Sequence, residues 1–130
     1  MHTRSIGSLE VSPLGFGCMN LTDIRRGMPR FLEPHFSANL QLLSEARKIA
    51  AEAGCSLPQL ALAWLLQKSP RVIPIVGTTS LLHLREDLAA TAVKLSSDTV
   101  EKIERAINAG SVSGVRYPPQ TLREIDTDAR

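Results

Sequence analysis

The stretch from residue 72 to residue 90 constrains the fold of this chain more than any other part of its sequence. It begins with Val-Ile-Pro-Ile-Val, a continuous apolar run of the kind found in buried parallel strands. Pro74 is unusual in such a run, because proline cannot donate a ladder hydrogen bond. A small polar turn follows at residues 77–80, and residues 80–91 have the character of a helix. The stretch therefore predicts a buried strand, a tight turn and a helix.

The turn allows two interpretations from its chemistry alone. Backbone N–H groups and the positive end of a helix dipole meet there, which suits an anion such as phosphate. Gly77 lets the backbone approach a ligand closely, and the hydroxyl groups of Thr78, Thr79 and Ser80 can bond phosphate oxygens. In the alternative interpretation the turn is an ordinary connection in which Thr79 or Ser80 caps the helix.

Apolar spacing and cap residues predict three more helices. The first has one face made of Phe36, Leu40, Leu43, Arg47 and Ala50, with Ile49 and Ala53 at its edge. Gly54 ends that helix, and residues 56–59 form a capping box with proline in the first turn of the next one. The last helix begins near Ser96 or Ser97, and its buried stripe is Val100, Ile103 and Ile107, with Ala106 beside it.

The N-terminal region predicts strands. Residues 3–6 and 9–12 can pair across a Gly-Ser turn as a short hairpin, and residues 14–17 form a further strand. Residues 23–34 contain Gly27, Pro29 and Pro34 and are typical of a loop.

Three of these stretches together resemble one known family. Residues 72–90 resemble the last barrel strand and following helix of the aldo/keto reductases. Residues 4–22 resemble that family's N-terminal hairpin and first barrel strand, and residues 25–31 resemble the region after its seventh strand. The resemblance extends from residue 3 to about residue 118. It implies an α/β fold of the TIM (β/α)8 type.

The chain is too short for the whole barrel that this family implies. Such a barrel needs about 250 residues, and this chain has 130. Thr22 ends the segment that resembles strand one, and Asp23 begins the segment that resembles the region after strand seven. The resemblance therefore implies one incomplete domain, with the hairpin and strand one in residues 1–22, the C-terminal part of the barrel in residues 23–118, and a tail in residues 119–130.

We accordingly expect a helix-rich fragment of a barrel that keeps the N-terminal hairpin, strand one, strand eight and the C-terminal helices. Strands one and eight are neighbours in a closed barrel, so they can still pair in parallel. Their outer edges would then be unpaired, and such edges favour self-association.

The family's catalytic groups have no counterpart in this sequence. Family members reduce carbonyls with a tetrad of Asp, Tyr, Lys and His, in which Tyr donates the proton. The only tyrosine here is Tyr117, in a proline-rich segment, and the four lysines (Lys48, Lys68, Lys94 and Lys102) occupy predicted helix-surface or loop positions. We carry over no catalytic residue and expect no carbonyl reduction by this chain alone.

The resemblance does imply residues for a nicotinamide cofactor, NADP(H), with weak or lost affinity. Gly77, Thr78, Thr79 and Ser80 match the turn that holds the 2′-phosphate, Glu86 and Asp87 match a pair that contacts adenine, and Gly17 and Met19 match positions on the nicotinamide and pyrophosphate side. Glu86 and Asp87 could equally be solvent-facing helix acids, and Met19 could be apolar filler. The turn has no Lys or Arg, which leaves the preference between NADP and NAD open.

Composition excludes several other classes of function. A net charge of +2 is too small to indicate nucleic acid or an acidic membrane surface. The cluster Arg25, Arg26 and Arg30 is either a solvated loop or a rim near a phosphate. The N-terminus lacks the apolar core of a signal peptide, so we expect a cytoplasmic location. Cys18 and Cys55 are expected to be reduced, non-catalytic thiols, and no spacing indicates a metal site.

Three hypotheses follow. In the first, the chain is a reductase remnant that retains at most weak NADP(H) binding. In the second, the chain belongs to an active NADP-dependent carbonyl reductase, either as an incomplete copy of it or with a partner chain that supplies the missing strands. In the third, the chain is a non-enzymatic interaction module, or a deletion product, with exposed strand edges.

Overall fold

A computed structural model describes residues 3–17 and 27–124 of the chain. The chain divides into two compact units. The first unit comprises Met1–Met19 and Arg47–Ile103, and the second comprises Asn20–Ala46 and Glu104–Arg130. The prediction of a single incomplete domain with boundaries at residues 22 and 118 stays a prediction.

The first unit begins with the predicted hairpin. Strands β1 (Arg4–Ile6) and β2 (Leu9–Val11) pair antiparallel, with Ser5 opposite Glu10. Gly7 lies in the connecting turn with φ of 59°, a left-handed conformation that glycine adopts without steric cost. The hairpin is confirmed, with each strand one residue shorter than predicted.

A parallel pair of short strands follows in the same unit. Strand β3 (Gly15–Phe16) pairs with β4 (Ile75–Val76), with Gly15 opposite Ile75. Pro74 lies just before β4, and its carbonyl accepts a hydrogen bond of 2.8 Å from the Gly15 N–H. The proline therefore contributes only its acceptor to the ladder, so its missing N–H does not interrupt the strand.

The prediction of a buried strand over residues 72–76 is wrong in length and in burial. Only Ile75 and Val76 are in strand conformation, and Ile75 is 73% exposed. Among the described residues, β4 has a strand neighbour on one side only. Its other edge is therefore left open to solvent, and an apolar strand sequence does not produce a buried strand there.

Helix α1 (His35–Glu52) is present, but its buried face differs from the predicted one. Ala46, Ile49 and Ala50 are buried, whereas Arg47 is exposed and Phe36 and Leu40 are 39% and 43% exposed. The face is rotated because small alanines allow close packing and because an unpaired guanidinium is costly to bury. Gly54 follows the helix with φ of 69°, as expected of a glycine that ends a helix.

Helix α2 (Leu57–Lys68) begins with the predicted capping box. The Ser56 hydroxyl oxygen accepts from the Gln59 N–H, and the Gln59 side-chain oxygen accepts from the Ser56 N–H at 3.1 Å. The helix buries Leu60 and Ala63. This pair forms the centre of the small apolar core of the first unit, together with Ala90 and Leu95.

Two more helices follow, the second of which ends beyond the first unit, and both confirm their predicted starts. Helix α3 (Leu81–Ala89) is followed by a 3-10 turn (Ala90–Ala92), and α4 (Ser97–Ala106) begins after Ser96, whose hydroxyl oxygen accepts from the Thr99 N–H. The predicted stripe of α4 is half-buried. The segment between α3 and α4 is held by Gln67, whose side-chain amide both donates to and accepts from the Leu95 backbone.

The second unit is built on the first part of α1. A 3-10 turn (Pro29–Phe31) lies within the region predicted as loop, and a four-residue helix, α5 (Pro119–Leu122), lies in the region predicted as tail. Asn39 on α1 holds residues 111–114 by bonding both the N–H and the carbonyl of Ser113, at 2.8 and 3.0 Å.

No single helix among the described residues is long and apolar enough to cross a membrane. The helices α1 and α2 pass that test by length and composition only as a pair, bent by 80° at their junction.

Candidate functional site

The carboxyl end of the parallel pair brings together most of the predicted site residues. Gly17 directly follows β3, and its N–H donates to the Val76 carbonyl at 2.6 Å. Gly77 follows β4, and a Cβ placed on it would lie 3.7 Å from the Gly17 carbonyl oxygen. Ligands of parallel sheets bind at this edge, outside the carboxyl ends of the strands.

Gly17 leaves almost no space for a side chain. A Cβ at this position would lie 3.1 Å from Ile75 Cγ2 and 3.4 Å from the Val76 carbonyl oxygen. The glycine therefore allows the two backbones to approach each other, which is what places the end of β3 against the turn.

The turn after β4 is held by its own hydroxyl groups. Thr78 Oγ1 accepts from the Ser80 N–H at 3.1 Å, and the Ser80 hydroxyl oxygen accepts from the His83 N–H at 3.4 Å. The Ser80 carbonyl accepts from the Leu84 N–H at 2.9 Å. Ser80, and not Thr79, is therefore the N-cap of α3, so the capping interpretation of the turn is confirmed at this residue.

Capping does not use up the anion-binding capacity of this helix start. The first N–H groups of a helix have no carbonyl partner within it, which applies here to Leu81 and Leu82. Their side chains are 75% and 73% exposed, and Gly77 and Thr79 are exposed as well. Exposed residues therefore surround the positive end of the α3 dipole.

The two predicted acidic residues lie further along α3. Glu86 and Asp87 are both half-buried. Asp87 is seven residues after Ser80, which is two helical turns and about 10 Å along the same face. The Glu86 carbonyl accepts from the Gln59 side-chain amide at 3.1 Å, which ties α3 to α2. His83, also on α3, is exposed to solvent.

Met19, with Cys18, Arg25 and Arg26, lies outside the described residues. The Arg30 guanidinium, in the second unit, donates through Nε to the Gly114 carbonyl at 3.0 Å.

Cys55 and the side chains that could bind a metal are the other groups in the sequence with a chemistry of their own. Burial raises the pKa of the Cys55 thiol, so this thiol is neutral near pH 7. Within residues 3–17 and 27–124, no three His, Cys, Asp or Glu side chains are grouped to hold a metal ion.

Sequence reasoning missed one residue that supports the site from the opposite end of the parallel pair. The half-buried guanidinium of Arg4, on β1, donates to three carbonyls, at 2.6 Å to Leu66, 2.5 Å to Ser69 and 2.7 Å to Val72. These carbonyls belong to the end of α2 and to the segment that leads into β4. An arginine in a short hairpin has the sequence pattern of a surface residue, so only the tertiary structure reveals this role.

Two comparisons place these features among known proteins. The sequence matches the model of the Aldo/keto reductase family over residues 1–108. The Aldo-keto reductase yakc [NADP(+)] of Schizosaccharomyces pombe is 41% identical over 106 residues, which are 82% of this chain and 31% of that protein. The chain therefore matches about a third of the length of this curated relative.

Proposed function

Because the chain belongs to the aldo/keto reductase family, we propose that it retains that family's attachment site for the phosphate and adenine end of NADP(H). The observation that carries the proposal is the hydrogen bond of 2.6 Å from the Gly17 N–H to the carbonyl of Val76, the residue before Gly77, at the carboxyl end of the parallel pair. This bond brings two chain segments, distant in sequence, together just before the start of α3.

In terms of the family fold, β3 and β4 correspond to strands one and eight of a (β/α)8 barrel. The rest of the chain is helix-rich, and the described residues form, apart from the hairpin, two short strands where a complete barrel has eight. This proportion supports a fragment in which the block between Thr22 and Asp23 is missing.

Each predicted residue has a role in this proposal. The turn at residues 77–80 and the start of α3 would bind the 2′-phosphate, Glu86 and Asp87 would contact the adenine, and Gly17 would serve the nicotinamide and pyrophosphate side. Met19, assigned to that same side from the sequence, lies outside the described residues. The bound cofactor supplies hydride chemistry, whereas these residues only bind and orient it. The turn offers donors but no cationic side chain, so we expect weak binding.

The proposal includes no catalysis by this chain alone. Its single tyrosine, Tyr117, is in the second unit and stacks with Arg116, whose guanidinium carbon is 5.4 Å from the ring centroid. No described contact pairs Tyr117 with a lysine or a histidine that would make it a proton donor. We expect no NADPH oxidation when the purified chain is supplied with a panel of aldehydes and ketones. Turnover by this chain alone would contradict the assignment of an inactive remnant.

Titration of NADPH fluorescence with the purified chain tests the binding proposal. We expect a saturable signal, and absence of saturation at millimolar cofactor would contradict the proposal. The variant Thr79→Glu adds a negative charge at an exposed position of the turn and should weaken binding severalfold. The control Ser44→Glu adds the same charge at an exposed position of α1 and should leave the affinity unchanged.

The open edge of β4 favours a second candidate function, self-association as an interaction module. Ile75 combines an apolar side chain, 73% exposure and a strand edge without a neighbour among the described strands. Sedimentation of the wild-type chain and of Ile75→Lys tests this candidate. A concentration-dependent dimer that the lysine variant abolishes would support it, and a wild-type monomer at all concentrations would exclude it.

A further inference from the structure

The second unit contains a cavity of about 400 Å³, built entirely from its own residues. Phe31, Phe36 and Leu40 form apolar walls and are 48%, 39% and 43% exposed. Leaving three large apolar side chains this accessible is unfavourable unless something covers them. The volume lies within the range of small-molecule sites, about 300–1,000 Å³.

Two guanidinium groups line the same cavity. Arg30 is held in place by the bond from its Nε to the Gly114 carbonyl. Arg116 is positioned by its stacking on Tyr117, which also lines the cavity. No Asp or Glu is among the described lining residues. The site is therefore apolar in its body and positively charged at two points, which complements an amphipathic anion.

The wall that carries Gly114 is held rigidly. Asn39 bonds both backbone groups of Ser113, and His35 Nδ1 lies 2.8 Å from Ser113 Oγ. Gly114 has φ of 82°, and a Cβ there would lie 2.8 Å from His35 Cγ. The cavity is thus bounded by an ordered segment, and preorganised walls reduce the entropy lost when a ligand binds.

From this geometry we infer a binding site for a small amphipathic carboxylate. The apolar part of the ligand packs against Phe31, Phe36 and Leu40, and its carboxylate accepts hydrogen bonds from Arg30 and Arg116. The volume suits a small acid of this kind, such as a phenylalkanoate. The site uses none of the residues assigned to the cofactor, so it can be tested separately from the proposed function.

Isothermal titration of the full chain with 4-phenylbutyrate tests the inference, and the matched uncharged probe is 4-phenyl-1-butanol. We expect the acid to bind at least about threefold more tightly than the alcohol at low ionic strength, and the difference to shrink as salt is added. Equal binding of the two probes, or saturable binding of neither, would overturn the inference.

Substitution of the arginines locates the site. Arg116→Gln should lower the affinity for 4-phenylbutyrate about threefold and leave the affinity for 4-phenyl-1-butanol unchanged. Arg71 is an exposed arginine of the first unit, and the control Arg71→Gln should alter neither affinity. Wild-type affinity for the acid in Arg116→Gln would contradict the inference. Arg30→Lys keeps the charge while removing the Nε donor, and circular dichroism of each variant separates loss of binding from loss of fold.

Discussion

The two ends of the parallel pair in the first unit use backbone polar groups in opposite ways. At the carboxyl end, the first N–H groups of α3 have no carbonyl partner within the helix, and Gly77 and Thr79 beside them are exposed. At the amino end, Arg4 binds carbonyls of the last turn of α2 and of the segment that leads into β4. One end is therefore suited to binding a ligand, and the other contributes to stability.

This difference has a simple electrostatic basis. The end of α2 carries a partial negative charge, which a guanidinium from the same chain compensates. The start of α3 carries a partial positive charge, and the turn residues provide no internal carboxylate to compensate it. An anion from solution is the complementary partner, and the two ends can be distinguished by substitutions that alter stability or affinity separately.

The largest expected effect comes from removing the guanidinium at the amino end. Arg4→Ala leaves three half-buried carbonyls without their charged donor, so we expect a loss of about 3 kcal/mol in the free energy of unfolding. Arg4→Lys should recover part of this loss, because an ammonium keeps the charge but not the planar fork. Urea unfolding followed by circular dichroism measures both changes.

The comparison fails at this end if Arg4→Ala unfolds at the same urea concentration as the wild type. Arg71→Ala serves as the matched control, because Arg71 is exposed. The free energy of unfolding of Arg71→Ala should stay within about 0.5 kcal/mol of the wild-type value.

Two serine caps provide the next effect. Ser56 and Ser80 each accept from the N–H three residues later, at 3.4 Å in both cases. Ser56→Ala should cost about 1 kcal/mol of stability. Ser80→Ala should cost less stability, because α3 has no fully buried residue. Of the two variants, only Ser80→Ala should weaken the binding of NADPH. Equal NADPH affinity in the two variants would remove Ser80 from the proposed cofactor site.

The elements recovered from the sequence are those specified by neighbouring residues. The capping box at Ser56, the start of α3 at Ser80 and the glycine turn of the hairpin each depend on a local hydrogen bond or a local backbone conformation. Such signals are complete within four or five residues, so one sequence is enough to detect them.

The elements that were wrong or missed depend on distant residues. Burial of Ile75 requires other elements packed over the face of the sheet to which its side chain points, and Ile75 is 73% exposed. The buried face of α1 depends on where Ala46 can approach its neighbours, which the helical period alone does not determine. The role of Arg4 involves carbonyls more than 60 residues away in sequence. The cavity of the second unit likewise joins residues near 30 and near 116.

A smaller effect separates binding from stability at the carboxyl end. Gly77→Ala should be tolerated, because its Cβ would make an ordinary contact at 3.7 Å and its φ is not positive. Restricting the unfolded chain should even add about 0.5 kcal/mol of stability. The new methyl group would nevertheless stand between the turn and a bound phosphate, so NADPH affinity should fall.

Gly17→Ala is the matched variant, and it should behave differently. Its Cβ would lie 3.1 Å from Ile75 Cγ2, so we expect a loss of about 1 kcal/mol in stability as well as weaker NADPH binding. If Gly77→Ala bound NADPH as tightly as the wild type, the close approach of cofactor to the turn would be refuted.

The smallest effect concerns pH and sets burial against the dipole of α2. Cys55 directly precedes the N-cap Ser56, and a helix start lowers the pKa of a nearby thiol, whereas burial raises the pKa of Cys55. The stability linked to this thiol is therefore complete below the pKa of the unfolded thiol and is lost as pH rises through the higher folded value.

In a Cys18→Ser background, Ellman's reagent should react more slowly at pH 8 with the folded chain than with the chain in urea. The alkaline loss of stability should disappear in Cys55→Ala. A folded thiol that reacts faster than the unfolded one would show that the dipole dominates at this helix start.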